Sequence, residues 1–508
     1  MDLNKPDIKP DIKSDKKPAS CIAVFGTGSD VGKSIVATAL CRFFANKGIK
    51  VAPFKAQNMS NNSGITPEGL EMGRAQIVQA EAAGVAPHVD MNPILLKPTT
   101  EIGAQVVLLG KVLEDSSAID YHRKKDQLFS TACHALDRLK EKYDLIIIEG
   151  AGSCAEVNLM PNDIVNFRMA EYAGAPVILV ADIHKGGVFA QIVGTLECIP
   201  KKYKEMISGF LINRFRGDIR LFEEGKLWIE GKTEKKVFGV LPWYNHINIE
   251  AEDSVVIEKP QPASDIDNEN YSIAVVRLPH ISNFTDFDPL SRIESIDLYY
   301  IEEVQDLSSF AAVIIPGSKN TRFDLNWLIK TGWSTKLIDY ARQGNYVIGV
   351  CGGYQILGKY IHDPEGVEGK PGTSEGLDLL PVETVLKSPK TTTLTFFSWE
   401  GVEGAGYEIH MGQTKRQKGP HMFNIHERNG IKCDGRDGSL NDDVNVMGTY
   451  IHGLFDTPGI TKLLLDKIGI GDIEIPEIRG LSARGCEYDL LAEHFEKHID
   501  IGMVEKLF

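Results

Sequence analysis

A glycine-rich segment near the N-terminus has the residue types of a phosphate-binding loop. The run Gly26–Ser34 ends in Gly-Lys-Ser and lies between a strand pattern, Cys21–Phe25, and a helical pattern, Ile35–Asn46. In this order, backbone N–H groups surround a triphosphate, Lys33 reaches the β and γ oxygens, and the Ser34 hydroxyl binds Mg²⁺. We therefore expect ATP and Mg²⁺ as cofactors. The loop residues predicted to bind ATP are Thr27, Gly28, Asp30, Val31, Gly32, Lys33 and Ser34.

A cysteine in the second half has the setting of a nucleophile. The run Gly349–Gly353 has the Gly-x-Cys-x-Gly form of a nucleophile elbow and overlaps the strand pattern Tyr346–Val350. Such a turn presents Cys351 at a helix N-terminus, which favours the thiolate, and places the Gly352 N–H to donate to an oxyanion. His452, far along the chain, is the predicted base that meets the cysteine only in the fold.

Two carboxylates follow buried strand patterns in the first half. Glu149 follows Leu145–Ile148, and Asp182 follows Pro176–Ala181. Open parallel sheets bind ligands beyond the carboxyl ends of their strands, so both carboxylates are predicted to join Ser34 as metal ligands. The alternative for each is a strand-end carboxylate that caps a helix.

A polar segment follows the second strand pattern. Lys55 could bind a phosphoryl group or an acyl phosphate, while Gln57, Asn58 and Ser60 offer uncharged groups that suit amides. These four residues are the predicted substrate contacts. The alternative is an Asn/Ser-rich loop without a ligand.

The predicted strands and helices that must position these residues form two α/β domains. A chain of 508 residues is too long for one core, and short β-branched runs alternate with amphipathic segments in both halves. The predicted boundaries are a disordered tail at 1–19, a first domain with the phosphate-binding loop at 20–258, a linker at 259–270 and a second domain with the cysteine elbow at 271–508. Both domains are predicted to be open, mostly parallel sheets, with an antiparallel excursion near residues 366–417.

Composition excludes several classes of protein. The hydrophobic share of 43% and the charged share of 25% are those of a globular chain, and the net charge of −15 argues against a nucleic-acid-binding protein. The eight cysteines contain no Cys-x-x-Cys pair, which disfavours a zinc site and a disulfide framework and fits a reducing cytoplasm. No apolar run approaches the ~18 residues of a membrane helix.

The first half resembles the dethiobiotin synthetases. Thr27 stands where the usual phosphate-binding loop has its first glycine, and the spacing from Gly26 is one residue longer. The same Gly-Thr-x-x-x-Val-Gly-Lys shape occurs in the dethiobiotin synthetase branch. The resemblance implies that Asn213 reads the adenine edge of ATP, the alternative being a turn residue.

The elbow and His452 resemble the class I, or triad, glutamine amidotransferases. Many members place a glutamate two residues after the histidine, but this chain has Leu454 there, as in the branch that amidates cobyrinate. The third triad member therefore stays unnamed. A second oxyanion donor could come from the loop after the strand pattern Ala312–Ile315, or that loop could be an ordinary Gly-Ser turn. The implied oxyanion and glutamine contacts are Gly317, Ser318, Gly352 and Gln355.

Fusion of these two halves resembles two cobalamin-pathway enzymes, cobyric acid synthase and cobyrinic acid a,c-diamide synthase. The segments Phe54–Ser63, Asn92–Pro98 and Gly406–Gly412 look like the former, and diamide synthases typically carry a Gly-Pro-Asp-Tyr-type segment where this chain has Ala56–Met59. The resemblance implies that ATP activates the b, d, e and g carboxylates of adenosylcobyrinic acid a,c-diamide as acyl phosphates. Ammonia from glutamine then displaces phosphate to give adenosylcobyric acid.

Two alternatives remain open at this point. One is the diamide synthase. The other is a nucleotide-dependent switch ATPase whose second half is an interaction module, although such a module needs neither Cys351 nor His452. The implied partners are small molecules, with no nucleic acid and no membrane insertion.

Overall fold

The computed structural model describes residues 19–100, 103–117, 124–244, 247–250, 270–471, 473–475 and 481–508. The predicted tail and linker lie almost wholly outside the described residues. Within the described ranges, no helix has the length and apolar character needed to cross a bilayer. All eight cysteines lie in these ranges as free thiols.

The first half begins with a strand and alternates strands with helices. Its strands are β1 (Ser20–Gly26), β2 (Val51–Phe54), β3 (Gln57–Met59), β4 (Ser63–Ile65), β5 (Glu71–Gly73), β6 (Ile94–Thr100), β7 (Gly103–Leu108), β8 (Lys111–Ser117), β9 (Leu145–Glu149), β10 (Val177–Asp182), β11 (Ile207–Phe215) and β12 (Lys236–Pro242). Its helices are α1 (Lys33–Asn46), α2 (Arg74–Ala82), α3 (Lys125–Lys142), α4 (Phe167–Ala173), α5 (Val188–Cys198), α6 (Lys201–Met206) and α7 (Glu223–Thr233).

The central sheet of this half is parallel throughout, with the strand order β12-β11-β10-β1-β9-β2. Its strands are continuous apolar runs because both faces are buried. Alternate residues enter two separate cores: Ile146 and Ile148 of β9 pack on one face, and Leu145 and Ile147 pack on the other. The predicted parallel sheet is confirmed.

A further four-stranded sheet, of order β3-β6-β7-β8, was not predicted from the sequence. Gln57–Met59 forms β3 and pairs in parallel with β6, so the segment expected to be a loop is partly a strand. The reason is tertiary: the polar side chain of Asn58 is buried among other polar groups rather than marking a surface turn.

The second half starts again with a parallel sheet. Its strands are β13 (Tyr271–Val276), β14 (Ile281–Ser282), β15 (Ile296–Ile301), β16 (Ala312–Ile315), β17 (Gly317–Ser318), β18 (Tyr346–Val350), β19 (Tyr360–Asp363), β20 (Gly372–Glu375), β21 (Val382–Trp399), β22 (Val402–Arg416), β23 (Phe423–Arg428), β24 (Ile431–Asp437), β25 (Ser439–Leu440), β26 (Val446–Thr449) and β27 (Ile451–His452). Its helices are α8 (Asp288–Ser291), α9 (Thr321–Thr331), α10 (Trp333–Arg342), α11 (Gly352–Leu357), α12 (Pro458–Lys467), α13 (Leu481–His498) and α14 (Ile501–Glu505).

The main sheet of this half has the order β15-β13-β16-β18-β26-β25, parallel except for its last pair. A second, mostly antiparallel sheet is built around the long hairpin of β21 and β22. The predicted antiparallel excursion is confirmed and continues through β23, β24 and β27. The fold class of two open, mostly parallel α/β halves is therefore confirmed.

The last two helices return to the first half and pack against α1 and β12. Arg42 of α1 forms a bidentate pair with Asp489, and the buried ring of Phe495 joins the core beside β1. Gly239 of β12 also bridges to Ile499, and a Cβ on this glycine would lie 2.3 Å from the His498 carbonyl oxygen. The C-terminal helices thus complete the first half, not the second.

We expect Phe495→Ala to destabilise the first half by about 3 kcal/mol, because it leaves a cavity in a packed core. Urea unfolding followed by intrinsic fluorescence measures this change. The control is Leu490→Ala on the exposed face of the same helix, which should shift the midpoint little. Equal effects of the two substitutions would contradict the packing described here.

Candidate active sites

The Cys351 elbow is held by close backbone packing. Cys351 lies between β18 and α11 with φ 53° and ψ −106°, a strained conformation for a residue with a side chain. A Cβ on Gly353 would lie 1.9 Å from the Ile315 carbonyl oxygen, and one on Gly349 would lie 2.6 Å from Leu357 Cδ1. Both flanking positions therefore require glycine. The turn places the Cys351 side chain in the wall of a cavity.

His452 lines the same cavity, and Asp286 holds its ring. His452 Nδ1 lies 2.6 Å from Asp286 Oδ2, and the Gly453 N–H donates to Asp286 Oδ1 at 3.2 Å. The ring of Tyr407 stacks on the imidazole with 5.2 Å between centroids. Asp286 thus occupies Nδ1, and the imidazole also interacts with the Cys351 side chain, as a nucleophile–base–orienter arrangement requires.

Charge in the cavity favours the imidazolium form of His452. Burial lowers the pKa of His452, but its interactions with Asp286 and Cys351 raise it more strongly, so its pKa rises from 6.5 to about 10. Because the folded-state pKa is raised, this pairing stabilises the fold fully below about pH 6.5. The contribution is lost as the pH rises through about 10.

The four predicted oxyanion and glutamine residues lie around this pair. A Cβ on Gly352 would meet the Ser318 backbone nitrogen at 2.7 Å, so the two backbone segments are in direct contact. A Cβ on Gly317 would lie 3.4 Å from His452 Cε1. Gln355 is buried and lines the same cavity. The structure thus brings these four residues together with the predicted nucleophile and base.

The cavity is not confined to the second half. Lys97 of β6 and Gln105 of β7 line it together with Cys351 and His452. Residues of the first half therefore line the same cavity as the predicted nucleophile.

The phosphate-binding loop connects β1 to α1 as predicted. Lys33 Nζ donates to the carbonyl oxygens of Gly28 at 3.0 Å and Gly152 at 2.9 Å, so its charge lies between the loop and the segment after β9. Gly32 precedes α1 with φ 97°, which only glycine adopts without strain. The Thr27 hydroxyl donates to Gln191 at 3.3 Å.

Asn213 lies against this loop. Its Nδ2 donates to the Val31 carbonyl oxygen at 2.9 Å, and a Cβ on Gly32 would lie 2.0 Å from the same Nδ2. Asp30, with φ 55°, pairs with Arg214 at 3.0 Å. Asn213 therefore supports the loop, and its predicted contact with adenine stays a prediction.

Glu149 is fully buried where Ser34, Lys55 and α2 meet. Its Oε1 accepts from Ser34 Oγ at 2.7 Å and Lys55 Nζ at 3.0 Å. Its Oε2 accepts from Gln79 at 2.6 Å and Gln76 at 3.3 Å. A hydroxyl and a carboxylate in contact are hard oxygen donors that fit Mg²⁺, an ion that takes one or two carboxylates plus phosphates and water.

The other predicted metal ligand lies elsewhere. Asp182 accepts from the His184 N–H at 2.7 Å and from Arg214 at 3.0 Å, and it pairs across the sheet with Asn213. It therefore belongs with the Arg214 cluster, whereas Ser34 and Glu149 touch each other. In the part of the chain that the structure describes, no group of three or more His, Cys, Asp or Glu residues forms a metal site.

The predicted substrate segment is buried rather than exposed. Asn58 Nδ2 donates to Gln76 Oε1 at 2.9 Å, which links it to the Glu149 cluster. The Ser60 hydroxyl accepts from the Asn62 N–H at 3.0 Å, and Gln57 is half-buried. Lys55 and Asn58 thus belong to a polar layer around Glu149, beside the phosphate-binding loop, and Gln57 and Ser60 lie on the same segment of the chain.

Sequence reasoning missed Asp286 and the two glutamines of α2. Asp286 is 166 residues from His452 and lies in a 3-10 turn, Phe284–Phe287. The sequence gives an indirect signal for Asp286. Leu454 stands where many triad amidotransferases have a glutamate, so the orienting carboxylate must come from another part of the chain. Gln76 and Gln79 are three residues apart on a helix, a spacing that fits an ordinary surface face.

Comparison with known proteins divides the chain into the same two halves as the fold does. A family described as a CobQ/CobB/MinD/ParA nucleotide binding domain matches residues 22–256, and a CobB/CobQ-like glutamine amidotransferase domain matches residues 272–459. The cobyric acid synthase of Chlorobaculum tepidum is 50% identical over 96% of this chain and 97% of its own. This chain belongs to the cobyric acid synthase family. It is thus an amidotransferase-type ligase with a nucleotide-binding half.

Other members of the cobyric acid synthase family are nearly as similar. The protein of Chlorobium chlorochromatii is 49% identical over 96% of both chains. That of Yersinia enterocolitica is 45% identical over 96% of this chain and 97% of its own. Among solved structures, PurLQS from Thermotoga maritima aligns with 44% of this chain and 98% of its own at 14% identity and a TM-score of 0.29.

We expect Asp286→Asn to lower glutamine hydrolysis by at least ~10²-fold, because the imidazole loses the charge that orients it. The pKa of His452 should fall below about 10 for the same reason. Steady-state glutaminase assays and an NMR titration of the imidazole measure the two effects. Asp443→Asn, at an exposed position, is the control. An unchanged hydrolysis rate would exclude Asp286 as the orienting carboxylate.

Proposed function

We propose that this protein amidates the b, d, e and g carboxylates of adenosylcobyrinic acid a,c-diamide, with ATP and glutamine, to give adenosylcobyric acid. The observation that carries the proposal is the shared cavity, in which Lys97 of the nucleotide-binding half faces Cys351 and His452. An enzyme that makes ammonia in one half and uses it in the other needs such a meeting point. The names of the relatives support the choice of substrate.

The amidotransferase half releases ammonia from glutamine. The Cys351 sulfur attacks the carboxamide carbon, and the C–N bond breaks as His452 delivers a proton to the leaving nitrogen. The backbone N–H groups of Gly352 and Ser318 stabilise the oxyanion. Water then hydrolyses the thioester to glutamate and restores the thiol. Asp286 keeps the imidazole in position through both steps.

The nucleotide-binding half activates the acceptor. A corrin carboxylate is a poor electrophile, so its oxygen attacks the γ-phosphorus of ATP and ADP leaves, giving an acyl phosphate. Lys33 stabilises the charge that develops on the phosphoryl oxygens. Ammonia then attacks the acyl carbon and phosphate departs. Ser34 and Glu149 would hold Mg²⁺, which neutralises phosphate charge when bound.

The polar layer near Glu149 is the proposed acceptor site. Lys55, which pairs with Glu149 at 3.0 Å, is the cation of this segment that would bind the carboxylate, and Gln57, Asn58 and Ser60 provide neutral groups for amides already formed. An enzyme that modifies several similar carboxylates on one ring must accept both. We assign residues 20–258 to the synthetase domain and the chain from residue 271 through α12 to the amidotransferase domain, whereas α13 and α14 pack on the synthetase domain. The free thiols support a reducing cytoplasm.

We expect Cys351→Ala to abolish glutamine-dependent amidation and to leave ammonia-dependent amidation largely intact, because the acceptor chemistry needs only free ammonia. Mass spectrometry of the a,c-diamide incubated with ATP, Mg²⁺ and either nitrogen source measures up to four conversions of carboxylate to amide. Cys433→Ala, an exposed cysteine, is the control. Loss of both activities in a folded Cys351→Ala enzyme would contradict the division of labour.

We expect Lys33→Ala to slow amidation by ~10²-fold with glutamine and with ammonia alike, because both routes require phosphoryl transfer. The same mass-spectrometric assay, run as a time course, measures the rates. Lys232→Ala, on the exposed face of α7, should leave them unchanged. Normal ammonia-driven turnover by Lys33→Ala would refute the assignment of the ATP site.

A further inference from the structure

Glu368 lines the same cavity as Cys351, although the reaction steps described above give it no part. Among the lining residues that the structure describes, it is the only carboxylate. Cys351, His452 and the oxyanion contacts act on the carboxamide of glutamine and on no other part of that molecule. The α-ammonium and the α-carboxylate lie two methylene groups away, and a cavity that removes water from these charges must offer other partners.

The loop that carries Glu368 is fixed by a buried aspartate. Asp363, the last residue of β19, accepts from the Val367 N–H at 2.7 Å and from the Glu368 N–H at 2.9 Å. It also accepts from Arg322 Nη1 at 3.1 Å, and the same nitrogen donates to the Lys370 carbonyl oxygen at 2.7 Å. Asp363 and Arg322 thereby hold both ends of the loop, so the backbone of Glu368 is in place without a ligand.

Capping of the helix α9 does not by itself account for a carboxylate here. The Arg322 N–H donates to Glu368 Oε2 at 2.9 Å, but Asn320 already caps this helix by accepting from the Phe323 N–H at 3.3 Å. An uncharged amide oxygen would accept the first of these bonds as well. Burial raises the pKa of Glu368, and the opposing effects of its neighbours are smaller. A ligand that brings a cation would offset this cost of burial.

Lys319 provides the opposite charge in the wall of the same cavity. The other two lysines of this wall, Lys97 and Lys390, both pair with Glu71. The charge of Lys319 acts on Glu368 and lowers its pKa, which places the two side chains near each other. A carboxylate and an ammonium in the same wall match the two charges on the α-carbon of a free amino acid.

We propose that Glu368 binds the α-ammonium of glutamine and Lys319 its α-carboxylate, so that Cys351 hydrolyses the free amino acid and spares the carboxamides of the corrin. The second part rests on the proposed function, in which the acceptor already carries two primary amides and gains more. A nucleophile that accepted any primary amide would hydrolyse the product. A corrin carboxamide brings neither charge, so its entry would leave both side chains without a partner.

Two truncated substrates test the two contacts separately in the full-length enzyme. Glutaramate lacks the α-ammonium of glutamine, 4-aminobutanamide lacks the α-carboxylate, and the release of ammonia from each is measured at steady state. We expect the unaltered protein to favour glutamine over either analogue by at least ~10²-fold in kcat/KM, because each analogue leaves one charged side chain unpaired. Glu368→Gln should lower kcat/KM for glutamine by ~10²-fold, mainly through KM, and leave that for glutaramate nearly unchanged.

Lys319→Met should show the reverse pattern. It should impair glutamine hydrolysis but not that of 4-aminobutanamide, and it replaces Glu368→Gln if that variant does not fold. Glu365→Gln, at an exposed position on the same loop, is the control and should change none of these ratios. A merely structural role of Glu368 would lower the hydrolysis of glutamine and glutaramate alike. That result would overturn the proposal, as would equal use of glutamine and glutaramate by the unaltered enzyme.

The sparing of the corrin amides has a direct readout. Mass spectrometry of adenosylcobyrinic acid a,c-diamide incubated with the unaltered enzyme, without ATP, should show both amides intact over a time in which glutamine is hydrolysed. Loss of an amide that depends on Cys351 would overturn this part. Failure of the proposed function would look different, since ammonia and ATP would then drive no amidation of the a,c-diamide while the preference for glutamine over its analogues remained.

Discussion

A buried carboxylate holds the nucleotide-binding half together. Glu149 ends the strand β9 with no exposure to solvent, and donors from α1, from the end of β2 and from α2 surround it. An unpaired charge at this depth would cost several kcal/mol, so the three elements cannot move apart independently. The phosphate-binding loop, the residues that follow β2 and α2 therefore behave as one unit. If a ligand draws Lys55 away from Glu149, another cation must take its place beside the buried carboxylate.

The two reactive centres follow one structural rule. Glu149 is the last residue of β9 in the first sheet, and Cys351 directly follows β18 in the second, so each lies at the carboxyl end of a parallel strand. The two centres differ in what fixes them. Charge and hydrogen bonds fix Glu149, whereas backbone packing without room for a Cβ fixes Cys351. Substitutions that remove a charge or a hydrogen bond should therefore perturb the Glu149 site most. Substitutions that add side-chain volume should perturb the Cys351 site most.

The features that could be predicted from sequence are those encoded by neighbours in the chain. The strand patterns, the loop from Gly26 to Ser34 and the elbow at Cys351 each occupy one continuous segment, and the structure has these elements in the expected places. The fold class and its antiparallel excursion follow from the same local periodicity.

The features that were missed depend on distant contacts. Asp286 contacts His452 across 166 residues, and no spacing rule connects them. The sheet built from β3, β6, β7 and β8 has short, polar strands whose pairing depends on the surrounding core rather than on propensity. The packing of α13 on α1 likewise joins distant residues, such as Arg42 and Asp489.

The return of α13 has a consequence for how the protein is made. Tyr488, Leu491 and Phe495 complete the core of the first half, yet they are translated only after β13 to β27 of the second half. The apolar face of α1 therefore stays uncovered during synthesis of the whole second half, when exposed apolar surface is prone to aggregation. A ribosome that stalls within the second half would release a chain whose first half lacks part of its core. Such a product is a substrate for chaperones and proteases rather than a working nucleotide-binding domain.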